Sequence, residues 1–180
     1  MKWALGRLSD FREAEYEKAY KGLSKSRKMR IDRLKKDADR KRSLLGEMLV
    51  KKLLMEEGIE AHILSEDNGK PYLSDSSFFV SISHSGEMAA AVISEKPVGI
   101  DIEKTRQIDL RILDRVCTER EADYVKCDKD SEIRFFEVWT AKEAYFKKQG
   151  TGITNFKSVE IFDLKREFIT ADGYFLQIVY

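Results

Sequence analysis

Val98-Gly99-Ile100-Asp101-Ile102-Glu103 and, further along, Trp139-Thr140-Ala141-Lys142-Glu143-Ala144-Tyr145-Phe146-Lys147 are the stretches whose reading decides the fold. In the first, apolar Val98, Ile100 and Ile102 alternate with the other residues, which is the period of a strand. Asp101 and Glu103 then share one face with their Cα atoms about 7 Å apart. Two carboxylates that close repel each other unless something cationic sits between them. The second stretch belongs to a helix over 131–149, stopped by Gly150, with Phe135, Phe136, Trp139 and Phe146 as its apolar stripe. Glu143 and Lys147 are spaced i,i+4 and share a face of it.

A hard cation such as Mg²⁺ takes oxygen ligands at about 2.1 Å, usually a few carboxylates completed by water and substrate phosphate. Asp101, Glu103 and Glu143 supply that chemistry, and Lys147 would lie where a metal-bound phosphate extends. Each fragment alone has a plainer reading. An Asp-x-Glu face is commonly the solvated side of a half-buried strand, and an i,i+4 Glu–Lys pair is commonly a surface salt bridge contributing about 0.2–0.5 kcal/mol.

Outward from these stretches, 59–64, 78–83, 89–94 and 98–103 read as strands separated by turns at Asn68-Gly69, Ser85-Gly86 and Lys96-Pro97. Leu44, Leu45, Met48, Leu49 and Leu53 recur at helical spacing over 37–57, with Gly58 as the stop. Residues 3–20 give a strand and a short helix, and shorter helices are expected at 110–116 and 119–127. Strands at 158–164, 168–170 and 174–180 close the chain, the last two joined by the turn Ala171-Asp172-Gly173. This order of elements is α+β, with two comparable parts meeting near Pro97.

With 180 residues, 42% hydrophobic content and two prolines, the chain is long enough to bury a sizeable core. Cys117 and Cys127 have neither metal-type nor redox-type spacing, and both are expected as free buried thiols. No apolar run is long enough for a signal peptide or a membrane span, so a cytoplasmic location is expected. Net charge is +1, but between Lys21 and Arg42 eleven Lys or Arg face three Asp, and the rest of the chain is acidic overall. A solvated helical face, a nucleic acid and a smaller polyanion are all readings of that asymmetry. The aromatic interleaving of a single-strand-binding surface is absent from it.

The two opening stretches together resemble the signature pair of the 4′-phosphopantetheinyl transferases, in particular the surfactin-type subfamily with two similar halves in one chain. Gly69-Lys70-Pro71, Ser81-Ile82-Ser83-His84-Ser85 and the helix entry Arg42-Ser43-Leu44-Leu45-Gly46 match in family order, so the resemblance covers about residues 24–152. It implies two α+β halves related by pseudo-twofold symmetry, each a small, mainly antiparallel sheet on a long helix. Residues 1–96 would be the half that binds coenzyme A's adenosine and 3′-phosphate, and 97–180 the Mg²⁺-binding, catalytic half, with the ligand in the cleft between them.

By that resemblance Arg27, Arg30, Arg42 and Ser43 hold the 3′-phosphate, and the planar fork of arginine suits paired bonds to phosphate oxygens. Lys70, Ser83 and His84 resemble further contacts to the phosphates and adenosine, although Ser-x-Ser-His-Ser at a strand end is also a plain hydrogen-bonded turn. His62 and Lys142 are read as structural. Mg²⁺ would be held by Asp101, Glu103 and Glu143, and Lys147 would stabilise the departing phosphate. Glu143, directly or through water, is the first choice of base and Glu103 the reserve. The implied reaction moves 4′-phosphopantetheine from coenzyme A to a serine of an apo acyl or peptidyl carrier protein, releasing adenosine 3′,5′-bisphosphate. The carrier is expected to dock near 111–120. A monomer with no nucleic-acid or membrane partner is implied. Little chain follows Gly152, so peripheral strands of the second half are expected to be missing. Two rivals stay open: an Mg²⁺-dependent nuclease, although its usual Glu-x-Lys strand is not matched by Asp101-Ile102-Glu103-Lys104, and a non-catalytic nucleic-acid-binding module using residues 21–42.

Overall fold

The computed structural model describes residues 1–127, 129–153 and 155–180. In chain order they form β1 (Lys2–Arg7), α1 (Glu13–Lys21), α2 (Lys25–Asp32), α3 (Asp37–Glu56), β2 (Ile63–Ser65), β3 (Pro71–Leu73), β4 (Phe79–Ser85), β5 (Met88–Ser94) and β6 (Gly99–Lys104). The second part continues with α4 (Leu113–Val116), α5 (Glu119–Lys126), α6 (Ser131–Gln149), β7 (Arg166–Ala171) and β8 (Tyr174–Val179). The architecture is α+β, as expected. One antiparallel sheet has the order β1-β5-β4, another β6-β8-β7, and β2 and β3 form a small hairpin. In both three-stranded sheets the first strand of the segment pairs with the last, and the last with the one before it.

Every residue of β5 is buried, and its two faces serve two cores. Ala89, Ala91 and Ile93 pack under the apolar side of α3, with Leu45, Leu49 and Leu53. Met88, Ala90 and Val92 turn the other way onto Ile100, Ile102, Leu176 and Ile178 of the second sheet. The alternation read in 98–103 therefore holds, with Ile100 and Ile102 pointing at the layer between the sheets. Gly99, Asp101 and Glu103 point to the opposite face, which α6 covers.

The sheets meet along β4 and β6 without a backbone ladder. The hydroxyls of Ser81, Ser83 and Ser85 accept hydrogen bonds from the backbone N–H groups of Ile100, Ile102 and Lys104 at 3.1, 3.3 and 3.2 Å. The constant offset of 19 residues means that the two strands run parallel. The three serines alternate with Val80 and Ile82, which stay in the core under α3.

Gly99 sets how closely α6 approaches. A Cβ there would stand 1.9 Å from the carbonyl oxygen of Ala144 and 2.6 Å from the backbone nitrogen of Lys148. Only a residue without a side chain lets the helix backbone lie on the strand. Gly150 ends α6 in the left-handed conformation (φ 74°), its N–H donating to the carbonyl of Phe146 at 2.9 Å, as expected for a glycine stop.

Three expectations need correction. The strand placed at 158–164 is absent, and the chain makes two short 3₁₀ turns, Phe156–Ser158 and Ile161–Asp163. Asn155 accepts from the N–H of Lys157, and the N–H of Ile161 donates to Glu121 at 2.9 Å, so side chains take the groups a ladder would need. The strand expected at 59–64 is shifted to Ile63–Ser65, where it pairs with Pro71–Leu73. Of the two cysteines only Cys117 is buried, its thiol pushed up to about 11 by desolvation and by Glu121, while Cys127 is exposed. Among the described residues no helix is long and apolar enough to cross a membrane.

The glycine contacts order the cost of two substitutions. At Gly46 of α3 an added Cβ would meet only a side-chain methyl, Cγ2 of Ile82 at 2.5 Å, whereas at Gly99 it meets backbone. Chemical denaturation is expected to show Gly46→Ala losing about 1–2 kcal/mol and Gly99→Ala about 3 kcal/mol or more, because a side chain can turn aside and a helix backbone cannot.

Candidate active site at the seam between the sheets

Asp101 is the centre of the polar group at the seam. It is 3% exposed. Its Oδ1 accepts from the Ser83 hydroxyl at 2.8 Å and from the Lys147 ammonium at 2.6 Å, and Lys147 also donates to Ser83 at 2.7 Å. Strand β4, strand β6 and helix α6 thus meet in one triangle of hydrogen bonds. Glu103, two residues along the same face, accepts from the Ser85 hydroxyl at 2.7 Å and lies 3.6 Å from Arg106.

Glu143 lies one turn before Lys147 on α6 and lines the adjoining cleft. Its carboxyl is pushed up to about 7, first by burial and then by the negative charges of Asp101 and Glu103, with Lys147 pulling it back. Of the three carboxylates foreseen in the sequence, Glu143 thus senses the other two. Among the described residues, however, no three Asp, Glu, His or Cys side chains stand close enough to ligate one ion as placed. The cation bonded to Asp101 is Lys147.

The cleft has a volume of ≈ 290 Å³ and is walled by both parts of the chain. Arg30, Lys70, Glu143 and Lys147 supply its charge, and Ile82, Phe146 and Ile153 its apolar surface. The turn before β3 is tied to the end of α6: Lys70 donates to the carbonyl of Lys148 and Asn68 to that of Gly150, both at 3.3 Å. The Arg30 guanidinium lies over Gly69, where an added Cβ would stand 1.5 Å from it. Four of the expected site residues therefore share one cleft, and Ser83 and Asp101 are bonded to one of them.

The others are placed differently. Arg42 donates to the carbonyl of Gly86 at 2.8 Å and pairs with Asp39, so it holds the β4–β5 turn. Ser43 is buried on α3. His84, on the face opposite to Ser83, has its pKa lowered by desolvation and by the charges of Lys147 and Arg42, which keeps it neutral at pH 7.

Arg27 requires correction as a phosphate ligand. It is 4% exposed, ion-paired with buried Glu47 and donating to the Ser65 hydroxyl at 2.7 Å, and the interior uses its donors. Lys142 is structural, as read: fully buried, it donates to the carbonyls of Val116 and Phe156 at 2.9 and 2.8 Å and pairs with Glu121 at 2.5 Å. His62 is exposed on the way into β2 and has no part in the cleft. Missed from the sequence was Asn68, although Asn-Gly was read there as a turn.

Residues 10–96 match a family profile described as 4′-phosphopantetheinyl transferase, N-terminal, and residues 97–177 match that of the 4′-phosphopantetheinyl transferase superfamily. The chain is similar to the 4′-phosphopantetheinyl transferase gsp of Aneurinibacillus migulanus, with 37% identity over 137 residues, 73% of this chain and 57% of that one. It is similar to psf-1 of Bacillus pumilus, with 37% identity over 123 residues, 64% of this chain and 53% of the relative. To Sfp of Bacillus subtilis it shows 30% identity over 149 residues, 79% of this chain and 66% of the relative. The chain spans between about half and two thirds of the length of these relatives.

The raised Glu143 carboxyl has a sign that can be checked. A folded-state value near 7 against an ordinary 4.5 means that its contribution is fully present below about 4.5 and is lost as pH rises through 7. In EDTA the protein is expected to lose roughly 1–2 kcal/mol of stability from this group between pH 5 and 8, a figure discounted for the group's partial exposure. Thermal melts should show Glu143→Gln melting above the parent at pH 8, with the difference gone at pH 5.

Proposed function

Because this chain belongs to the 4′-phosphopantetheinyl transferase superfamily, of the type that Sfp represents, we propose that it moves 4′-phosphopantetheine from coenzyme A to a serine of an apo acyl or peptidyl carrier protein. The observation that carries this reading is the bonding of Lys147 to Asp101 and Ser83 at the mouth of a cleft that also holds Glu143, Arg30 and Lys70. It puts a cation and acids within reach of one bound diphosphate.

In the reaction the carrier serine oxygen bonds to the phosphorus that bears pantetheine. The bond from that phosphorus to adenosine 3′,5′-bisphosphate breaks, and the serine proton leaves to a base. Glu143 suits the role of base, since a carboxyl near 7 can take a proton at neutral pH. Lys147 stabilises the departing phosphate, and Arg30 and Lys70 compensate charge at the far end of the cleft. Arg42 and Ser43 reach the adenosine 3′-phosphate only if the ligand displaces Arg42 from Gly86; Arg30 is the first choice for that contact. Ser83 holds Asp101 and Lys147, and His84 takes a position at the adenosine end as a neutral group.

The donor set suits Mg²⁺: Asp101, Glu103 and Glu143 carry hard oxygen donors on facing elements, and Glu143 has its proton affinity raised by burial and by the other two, although as placed the three do not stand around one point. Asp101, Glu103 and Glu143 would hold the ion, which when bound supplies charge to orient and polarise the diphosphate. We read residues 1–96 and 97–180 as two halves related by pseudo-twofold symmetry. The matching strand orders β1-β5-β4 and β6-β8-β7 support this. The groove lined by Arg106, Asp109, Ile112, Phe135 and Trp139, beside the 111–120 segment, is our candidate for the carrier surface, with an apolar floor flanked by one cation and one acid. A monomer in the cytoplasm completes the proposal.

The test is to mix the protein with apo carrier protein, coenzyme A and Mg²⁺ and to weigh the carrier intact. The expected gain is one phosphopantetheine on a serine, abolished by EDTA and reduced at least a hundredfold in rate by Asp101→Ala. Unmodified carriers from fatty-acid, polyketide and peptide synthesis alike would refute the proposal. Cleavage of nucleic acid lost on Asp101→Ala would replace it with the nuclease.

A further inference from the structure

Among the described residues three buried side-chain polar atoms have no hydrogen-bond partner: Oε2 of Glu47, Oδ2 of Asp101 and Nε2 of Gln177. Gln177 is the single donor of the three. It lies on β8 directly opposite Asp101 of β6, in register. Residues so opposed share a face, with Cβ atoms about 4.5–5.5 Å apart. An orphaned donor and an orphaned acceptor therefore stand on facing residues, not bonded to each other as placed, in an interior where each uncompensated group is costly.

The orientation of the amide is fixed from its other end. Arg166 NH1 lies 3.3 Å from Oε1 of Gln177, and Arg166 NH2 donates to Glu137 at 2.8 Å. A guanidinium has only donors, so the atom facing it must be the amide oxygen, and the NH₂ group must point away from it. Gln177 is completely buried, so no solvent meets that NH₂ group.

We propose that Gln177 is a positioning residue for Asp101: in solution its NH₂ group closes onto Oδ2, a small side-chain adjustment from the unbonded placement, and holds the carboxylate with Oδ1 toward Ser83, Lys147 and the cleft. The line Glu137, Arg166, Gln177, Asp101 then runs across the α6-covered face of the second sheet, from β7 through β8 to the site on β6, and each member fixes the next. Metal-ligating carboxylates are ordinarily oriented by such hydrogen bonds, whose loss weakens metal binding about 10- to 100-fold. This consequence for metal binding rests on the proposed function; the hydrogen bond itself does not.

Two measurements separate the two. In the ¹H–¹⁵N spectrum of the metal-free protein, the Gln177 side-chain NH₂ pair is expected to be split, with one proton slow to exchange. Asp101→Ala should abolish that protection, and Ser83→Ala, which removes a partner of Oδ1 only, should leave it. An NH₂ group exchanging like a free amide, or protected equally in Asp101→Ala, overturns the proposal. For function, Gln177→Leu is expected to raise the Kd for Mn²⁺, read by electron paramagnetic resonance, about tenfold. A variant that melts lower yet binds Mn²⁺ as the parent does shows packing only, and this also overturns it. If the parent binds no Mn²⁺, the metal reading of the site fails and the exchange experiment alone decides Gln177.

Discussion

Three serine hydroxyls hold the two sheets together, and the site exists because they are hydroxyls rather than carbonyls. The outer N–H groups of an edge strand such as β6 are open to any acceptor. Had a neighbouring backbone taken them, its carbonyls would have been spent on the ladder. A hydroxyl has one donor and two acceptor lone pairs. The Ser83 oxygen accepts from Ile102 N–H and from Lys147 and donates to Asp101, which uses all three. The group that joins the sheets thus also aims the carboxylate. A slip of one residue between β4 and β6 would put Val80, Ile82 and His84 where the serines are, and would lose both functions at once.

Much of this was legible because the alternation in β6 and the helical spacing of α6 are strong local signals. The strand face bearing Asp101 and Glu103 and the helix face bearing Glu143 and Lys147 follow directly from periods of 2 and 3.6. That the two faces meet is carried by Gly99, whose missing side chain is visible in the sequence but whose role depends on Ala144 and Lys148, brought against it by the fold. Ser-x-Ser-His-Ser reads locally as a turn or a ligand contact and not as a seam, because nothing local says that a second strand lies beside it. The strand expected at 158–164 failed for a related reason. Its apolar spacing is strand-like, but Glu121, far away in sequence, takes the Ile161 N–H.

A buried cation accounts for the misreading at Arg27, and another, Lys142, shows how close in sequence the two fates lie. Arg27 lies in a basic run whose exposed members include Lys25, Arg33, Lys35 and Lys36, and composition cannot tell which of them turns inward. The partner that draws it in, Glu47, is on α3; burial raises the carboxyl's pKa while Arg27 lowers it. Lys142 and Glu143 are neighbours on one helix, yet a single step is about 100° of rotation. That step puts one in the core against Glu121 and the other at the cleft. Breaking such a buried pair on one side costs about 3–5 kcal/mol, while replacing both partners with apolar groups is often neutral, so Lys142 fixes the rotation of α6 more than it stabilises it.

Stability and chemistry draw on the same few groups at the seam. Asp101 is buried with Lys147 as its countercharge and a hydrogen bond from Ser83, since an isolated buried carboxylate costs several kcal/mol. Lys147 in turn must remain partly open to the cleft, and it is about a third exposed. Glu143 adds a second charge that the fold opposes, which is why its carboxyl holds its proton up to about 7. A positive charge entering the cleft relieves that repulsion, and a negative one gives Lys147 a second partner, so a ligand carrying both is favoured over either alone. The serines and Gly99 hold these charges close, and a relaxed seam would be more stable and less able to attract such a ligand.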